Sequence, residues 1–132
     1  MKAFTDIEQS KKLAEILPVE SADMKWFFWK SEIDAPKLPT FGYSKYAAES
    51  YKSTEAVYLP CWSLAALLSV LPQKYYPIKE HETNLILGKP KDKWCVLYWD
   101  TTGMQDGEQT SGNNPVDACV EMILKLNEQK VL

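Results

Sequence analysis

Lys25-Trp26-Phe27-Phe28-Trp29-Lys30 is the stretch on which the fold turns. In an extended strand successive side chains point to opposite faces, so Trp26 and Phe28 line one side while Phe27 and Trp29 line the other. Both faces are apolar. A strand of this kind lies between two layers of structure, or it shows one aromatic face to water until a partner covers it. Trp26, Phe27, Phe28 and Trp29 are therefore the candidate binding surface.

Outward from this strand, Asn84 to Leu87 and Lys93 to Trp99 read as two further strands, joined as a hairpin through Gly88, Lys89 and Pro90. In the second of them Trp94, Val96 and Tyr98 share one face and Cys95, Leu97 and Trp99 the other, a pattern that favours a central strand. Tyr75 to Glu80 is also extended. Together with Met24 to Lys30 these strands predict a small, largely antiparallel sheet of about three strands, packed with three main helices. The first helix is signalled by Thr5 and Glu8 as a capping box, by a narrow face of Ile7, Ser10, Leu13, Ala14 and Leu17, and by Pro18 as its stop. The second runs from Cys61 to Leu71 between Pro60 and Pro72; it is apolar nearly all round and belongs at the centre of the domain. Asn114 caps the third, with Pro115 in its first position and Asp117 favoured by the helix dipole. Val116, Cys119, Val120, Ile123 and Leu126 form its buried stripe, and Asp117, Glu121 and Lys125 its wet face. Pro36 and Pro39 break any regular element early in the stretch from Asp34 to Tyr58, yet Tyr43, Tyr46, Tyr51 and Tyr58 give it too much apolar content for a disordered linker. It reads as an ordered excursion with a short helix from Ser44 to Lys52. Asp100 to Asn113 is polar and glycine-punctuated, a loop or loose hairpin. The expected architecture is a single α+β domain over residues 1–132.

Composition supports this class. A chain of 132 residues hides roughly two-thirds of its unfolded surface on folding, enough for a real core. Apolar residues at 45% and charged residues at 25% exclude disorder, and 12% aromatics with five tryptophans point to a core built from rings. The net charge is −3, and all 15 basic residues are lysine. Without arginine there is no bidentate reading of guanine and no guanidinium stacking, so nucleic acid is not an expected partner. A charge of −3 is also too small for a mimic of DNA. Three cysteines without a C-x-x-C spacing offer neither a disulfide framework nor a zinc cluster, and Cys95 and Cys119 read as small buried hydrophobes. Met1 to Lys12 lacks the apolar segment of a signal peptide, and Cys61 to Leu71, about eleven residues, is too short to cross a bilayer. A cytoplasmic protein without membrane contact is expected.

Three blocks stand out in wording: FTDIEQSKKLAEILPVESADM at 4–24, PCWSLAALLSVLP at 60–72 and NNPVDACVEMILKLNE at 113–128. They resemble the shared blocks of a family of short proteins of gut anaerobic bacteria, many of them encoded in prophages or other mobile elements. The match covers rather less than half the chain and coincides with the three predicted helices, so it marks scaffold. The family carries no established activity, and the resemblance implies a mobile-element setting and no chemistry.

The sharpest catalytic reading starts from Cys61. At the N-terminus of a helix its thiol pKa is lowered, and it is followed by Trp62 as in many papain-like cysteine hydrolases. His81 precedes one strand and Asp100 ends the next, giving the order nucleophile, base, orienting acid. Against it stand the short separation of Cys61 from His81 and the missing glycine-rich surroundings. The competing reading packs Cys61 at a helix start and leaves His81, between Glu80 and Glu82, in water. Asp100, Asp106 and Glu108 depart from calcium-loop spacing, and Gly103, Gly107 and Gly112 fit no nucleotide cradle, so neither metal nor cofactor is expected. The function expected first is a non-enzymatic protein-interaction module using the aromatic strand, on a protein partner or in a homodimer. The alternatives are the cysteine hydrolase of Cys61, His81 and Asp100, and a binder of a small ligand or sugar on exposed tryptophans.

Overall fold

The computed structural model describes residues 1–78, 81–100 and 106–132, with side chains at all of these except 74–78, 81–83, 100, 106 and 107. The described residues form an α+β arrangement of four helices and two antiparallel sheets. The strands expected in one sheet divide between the two. The chain falls into two compact units, one of Phe4–Ala66 and one of Met1–Ala3 with Leu67–Leu132.

In the first unit, helix α1 (Ile7–Ala14) begins at Asp6, whose carboxylate accepts the Gln9 N–H at 2.8 Å while the Gln9 side chain accepts the Asp6 N–H at 3.1 Å. The capping box thus sits one residue later than Thr5 and Glu8 predict. Thr5 is drawn inward instead: its hydroxyl is fully buried, accepts the Trp62 N–H at 3.1 Å and lies 2.8 Å from the Ser10 hydroxyl. Strand β1 (Met24–Trp29) is the middle of a three-stranded sheet, between β2 (Thr40–Phe41) and β3 (Ala56–Cys61). The register runs from Met24 opposite Cys61 to Trp29 opposite Ala56, whereas β2 meets only Met24 and Lys25. Helix α2 (Lys45–Tyr51) lies within the predicted Ser44 to Lys52 segment, and Ser44 is its cap. Met24, Trp26, Phe28 and Cys61 are buried together, with Phe4, Ile7, Val57 and Leu59 packed on them.

Residues 56–61 were not legible as a strand because Pro60 is among them. Pro60 lies opposite Lys25 at a position whose backbone faces away from β1, so its missing N–H costs no ladder bond. The predicted helix from Cys61 is correspondingly shorter, α3 (Leu64–Val70), and Cys61 is the last residue of a strand. Asp23 fixes the junction: its carboxylate accepts from the Ser63 N–H at 2.9 Å and from the Ser63 hydroxyl, whose oxygen in turn accepts the Ala66 N–H at 3.2 Å.

In the second unit, β4 (Lys74–Ile78), β5 (His81–Gly88), β6 (Trp94–Asp100) and β7 (Asp106–Gly112) form an antiparallel sheet in that order. The β5–β6 hairpin and the central place of β6 agree with the sequence; β7 pairs antiparallel with β6, so of the two expectations for Asp100 to Asn113, loop or loose hairpin, the second fits. Helix α4 (Pro115–Glu128) is capped by Asn114, whose side chain accepts the Asp117 N–H at 2.8 Å, and it packs across β6 and β7. Its predicted stripe of Val116, Cys119, Val120, Ile123 and Leu126 is buried, against a sheet in which Val96 and Tyr98 are fully buried. Lys125, on the predicted wet face, pairs with Glu108 of β7 at 2.8 Å.

Candidate functional site

The two faces of β1 have different fates. Trp26 and Phe28 are buried within their own unit, and the Trp26 Nε1–H donates to the Thr5 C=O at 3.1 Å. Phe27 and Trp29, on the other face, remain 37% and 42% exposed. Three tyrosines gather around them. Phe27 lies 5.8 Å from Trp29, 5.0 Å from Tyr51 and 6.1 Å from Tyr58 between ring centroids, and Tyr51 stacks on Tyr58 at 5.8 Å with only 16° between their planes. Tyr43 continues the cluster at 5.4 Å from Tyr58. Burial, with the Tyr58 phenol beside it, holds the Tyr43 hydroxyl above its ordinary pKa.

Local sequence produces this face. Tyr58 stands directly opposite Phe27 in the β1–β3 register, and α2 brings Tyr51 across from above. The Tyr58 hydroxyl accepts the Ser44 N–H at 3.1 Å, tying the start of α2 to the strand. Lys25 adds one cation, 5.8 Å from the centroid of Tyr58. Between them Lys25, Phe27, Ser44, Ala47, Tyr51 and Tyr58 line an open groove of about 270 Å³. Its tyrosines were counted in the sequence but not joined to the strand; the alternation Val57, Tyr58, Leu59 before Pro60 is the signal that marks Tyr58 as facing the other way from its neighbours.

On the inner side, Ile7, Lys11, Phe28, Ile33, Lys37 and Val57 help line a second groove of about 470 Å³. Lys37 partly closes it, with its Nζ 4.7 Å above the Phe28 ring and donating to the carbonyls of Ile33 and Ala35.

The helix-start placement and lowered thiol pKa expected of a nucleophile are not found at Cys61. It ends a strand rather than starting a helix, it is fully buried, and its Sγ lies 3.4 Å from the Thr5 C=O. Burial pushes its thiol pKa up, against hydrogen bonds from Thr5 and Ser10 that pull the other way. His81 opens β5 and Asp100 ends the neighbouring β6 in the second unit, where Asp100 pairs with Thr83; their side chains lie outside the described residues. Of the acidic trio, the side chains of Asp100 and Asp106 also lie outside them. Glu108 is held by Lys125 and by Gln129, each at 2.8 Å.

The chain matches no family model, no curated protein and no solved structure. No helix among the described residues is long and apolar enough to cross a membrane.

Proposed function

We propose that this chain is a non-enzymatic protein-interaction module, of the mobile-element setting implied by its resemblance, that engages its partner through the outer face of β1. The observation that carries the reading is the exposure of Phe27 and Trp29 within a cluster of five rings. Aromatic side chains give large contact area at low conformational cost and are enriched at the centres of protein interfaces. The groove beside them, at about 270 Å³, falls below the range of about 300–1,000 Å³ usual for small-molecule sites, which favours a protein surface over a buried ligand.

A second reading, a sugar stacked on the rings, is supported by the Lys25 and Tyr58 polar groups at the groove margin. Affinity capture from a lysate of the source cells separates the readings. The double variant Phe27→Ser, Trp29→Ser should lose a protein that the wild type retains, while Ile86→Ser, a control at another exposed apolar position, keeps it. Retention unaffected by the double variant refutes the proposal. Elution by free monosaccharide, without loss of a protein band, supports the sugar.

A further inference from the structure

The edge of β1 offers hydrogen bonds as well as rings. Along an antiparallel strand, successive residues turn their backbone N–H and C=O alternately to the two sides. The Lys30 N–H donates to the Glu55 C=O at 2.7 Å, on the β3 side, and the Gly42 N–H donates to the Asp23 C=O at 2.8 Å, on the β2 side. Even-numbered residues of β1 therefore address β3, and odd-numbered residues address β2. Because β2 meets only Met24 and Lys25, the backbone groups of Phe27 and Trp29 face an edge that no strand among the described residues occupies. Trp29 caps the 3-10 turn Lys30–Glu32, so its carbonyl is partly engaged there. The Phe27 N–H, the Phe27 C=O and the Trp29 N–H are left.

The chain's own return segment does not fill this edge. Continuing the register of Lys25 with Thr40 sets Phe27 opposite Leu38 and Trp29 opposite Pro36. Pro36 has no N–H to offer, which ends the hairpin early. Leu38 is 79% exposed, and Lys37 is directed onto the Phe28 ring at the other face of the sheet.

We propose that a second copy of this chain adds its own β1 to this edge, antiparallel, about a two-fold axis at Phe28. This rests on the protein-interaction reading above and names the partner. In this register Phe27 stands opposite the partner's Trp29, and Trp29 opposite the partner's Phe27. Each Trp29 N–H donates to a Phe27 C=O, and each Phe27 N–H shares a Trp29 C=O. The same groups are used twice, as an isologous contact requires. The exposed rings meet as cross-strand aromatic pairs on the outer face. Charge is compatible with a second copy: no residue from Trp26 to Trp29 is charged, the pairing stops short of Lys25, whose edge Thr40 already occupies, and a net charge of −3 gives little repulsion.

Sedimentation equilibrium over a dilution series, combined with amide hydrogen exchange at each concentration, tests the pairing. The expected result is a reversible dimer in which the Phe27 and Trp29 amides slow as dimer accumulates, while those of Trp26 and Phe28, already turned to β3, are slow throughout. Trp29→Ser and Trp29→Pro both remove the ring, and only the second removes the N–H; the Trp29 φ of −83° is close to what proline adopts. Trp29→Pro should dimerise about tenfold or more weakly than Trp29→Ser, since two symmetry-related bonds go at once. A monomer at every concentration overturns the self-pairing and leaves the aromatic face to a partner of another kind. A dimer whose Phe27 and Trp29 amides exchange as in the monomer overturns the edge pairing, and one also indifferent to Trp29→Ser overturns the interaction reading with it.

Discussion

Replacing Thr5 by valine keeps the branched shape of a fully buried side chain and removes its oxygen. Three partners then lose it: the Trp62 N–H, which donates to it at 3.1 Å, the Ser10 hydroxyl at 2.8 Å and, as a weak acceptor, the Cys61 Sγ at 3.5 Å. A buried N–H left without an acceptor costs about 1–3 kcal/mol, and the lost bond to Ser10 about 0.5–1.5 kcal/mol more. The added apolar carbon returns about 0.8 kcal/mol. The net loss expected for Thr5→Val is therefore about 2 kcal/mol. Thr5→Ser retains the oxygen and gives up one methyl, at about 1 kcal/mol. Urea denaturation followed by tryptophan fluorescence, extrapolated linearly, measures both. Ser10→Ala completes a cycle: it should cost about 1 kcal/mol in the wild type and clearly less beside Thr5→Val, where its bond to Thr5 is already gone and only the weak one to the Cys61 thiol remains. If Thr5→Val is no worse than Thr5→Ser, and its effect adds in full to that of Ser10→Ala, the network is not what holds α1 to the end of β3.

The three thiols should react with a thiol reagent only as the protein unfolds, since Cys61, Cys95 and Cys119 are all buried and burial pushes the Cys119 thiol up to about 12; one equivalent reacting at once in native buffer contradicts this. Leu67→Ala should cost about 2–5 kcal/mol and Leu68→Ala clearly less, because Leu67 is fully buried and Leu68 is not; equal losses in thermal melts would remove the distinction. Lys125 and Gln129 hold the Glu108 carboxyl below its ordinary pKa, so its folded value is depressed and the stability it lends is present above the unfolded carboxylate pKa and fades as pH falls through the folded one. As a surface pair it is worth no more than about 1 kcal/mol, and the difference between wild type and Glu108→Gln should shrink both in acid and in high salt.

What could be read in advance depended on whether a signal was local. Helix α4 was legible nearly residue by residue, because Asn114, Pro115 and the stripe from Val116 to Leu126 all lie within the element they specify. Strand β1 was legible as a strand with two apolar faces, whereas which face stays exposed, that of Phe27 and Trp29, came only from the packing. Pairing partners were not legible, since alternation states that a residue lies in a strand and not which strand lies beside it; hence one expected sheet became two. Strand β3 was hidden by Pro60, which looks like a breaker until its backbone is seen to face away from β1. Strand β7 was legible only as one arm of a loose hairpin that a loop could equally explain, because its residues are polar. The candidate site was half visible: the rings of β1 were named, whereas Tyr51 and Tyr58 join them only through the β1–β3 register and the packing of α2.

The contact between Thr5 and Trp62 spans 57 positions of chain. Closing a flexible loop of that length costs about 3.6 kcal/mol beyond its constant part, and nothing is returned until both ends are in place. The amino-terminal segment therefore cannot settle by itself during synthesis. Until Trp62 has emerged, Phe4 has no Ser63 to bridge and the indole of Trp26 has no fixed Thr5 carbonyl to bond. The first unit is a late-closing one: its sheet can begin with the short pairing of β1 and β2, but β3 joins only after α2 has been made, and the core is sealed only when the first residues made meet some of the last in the unit.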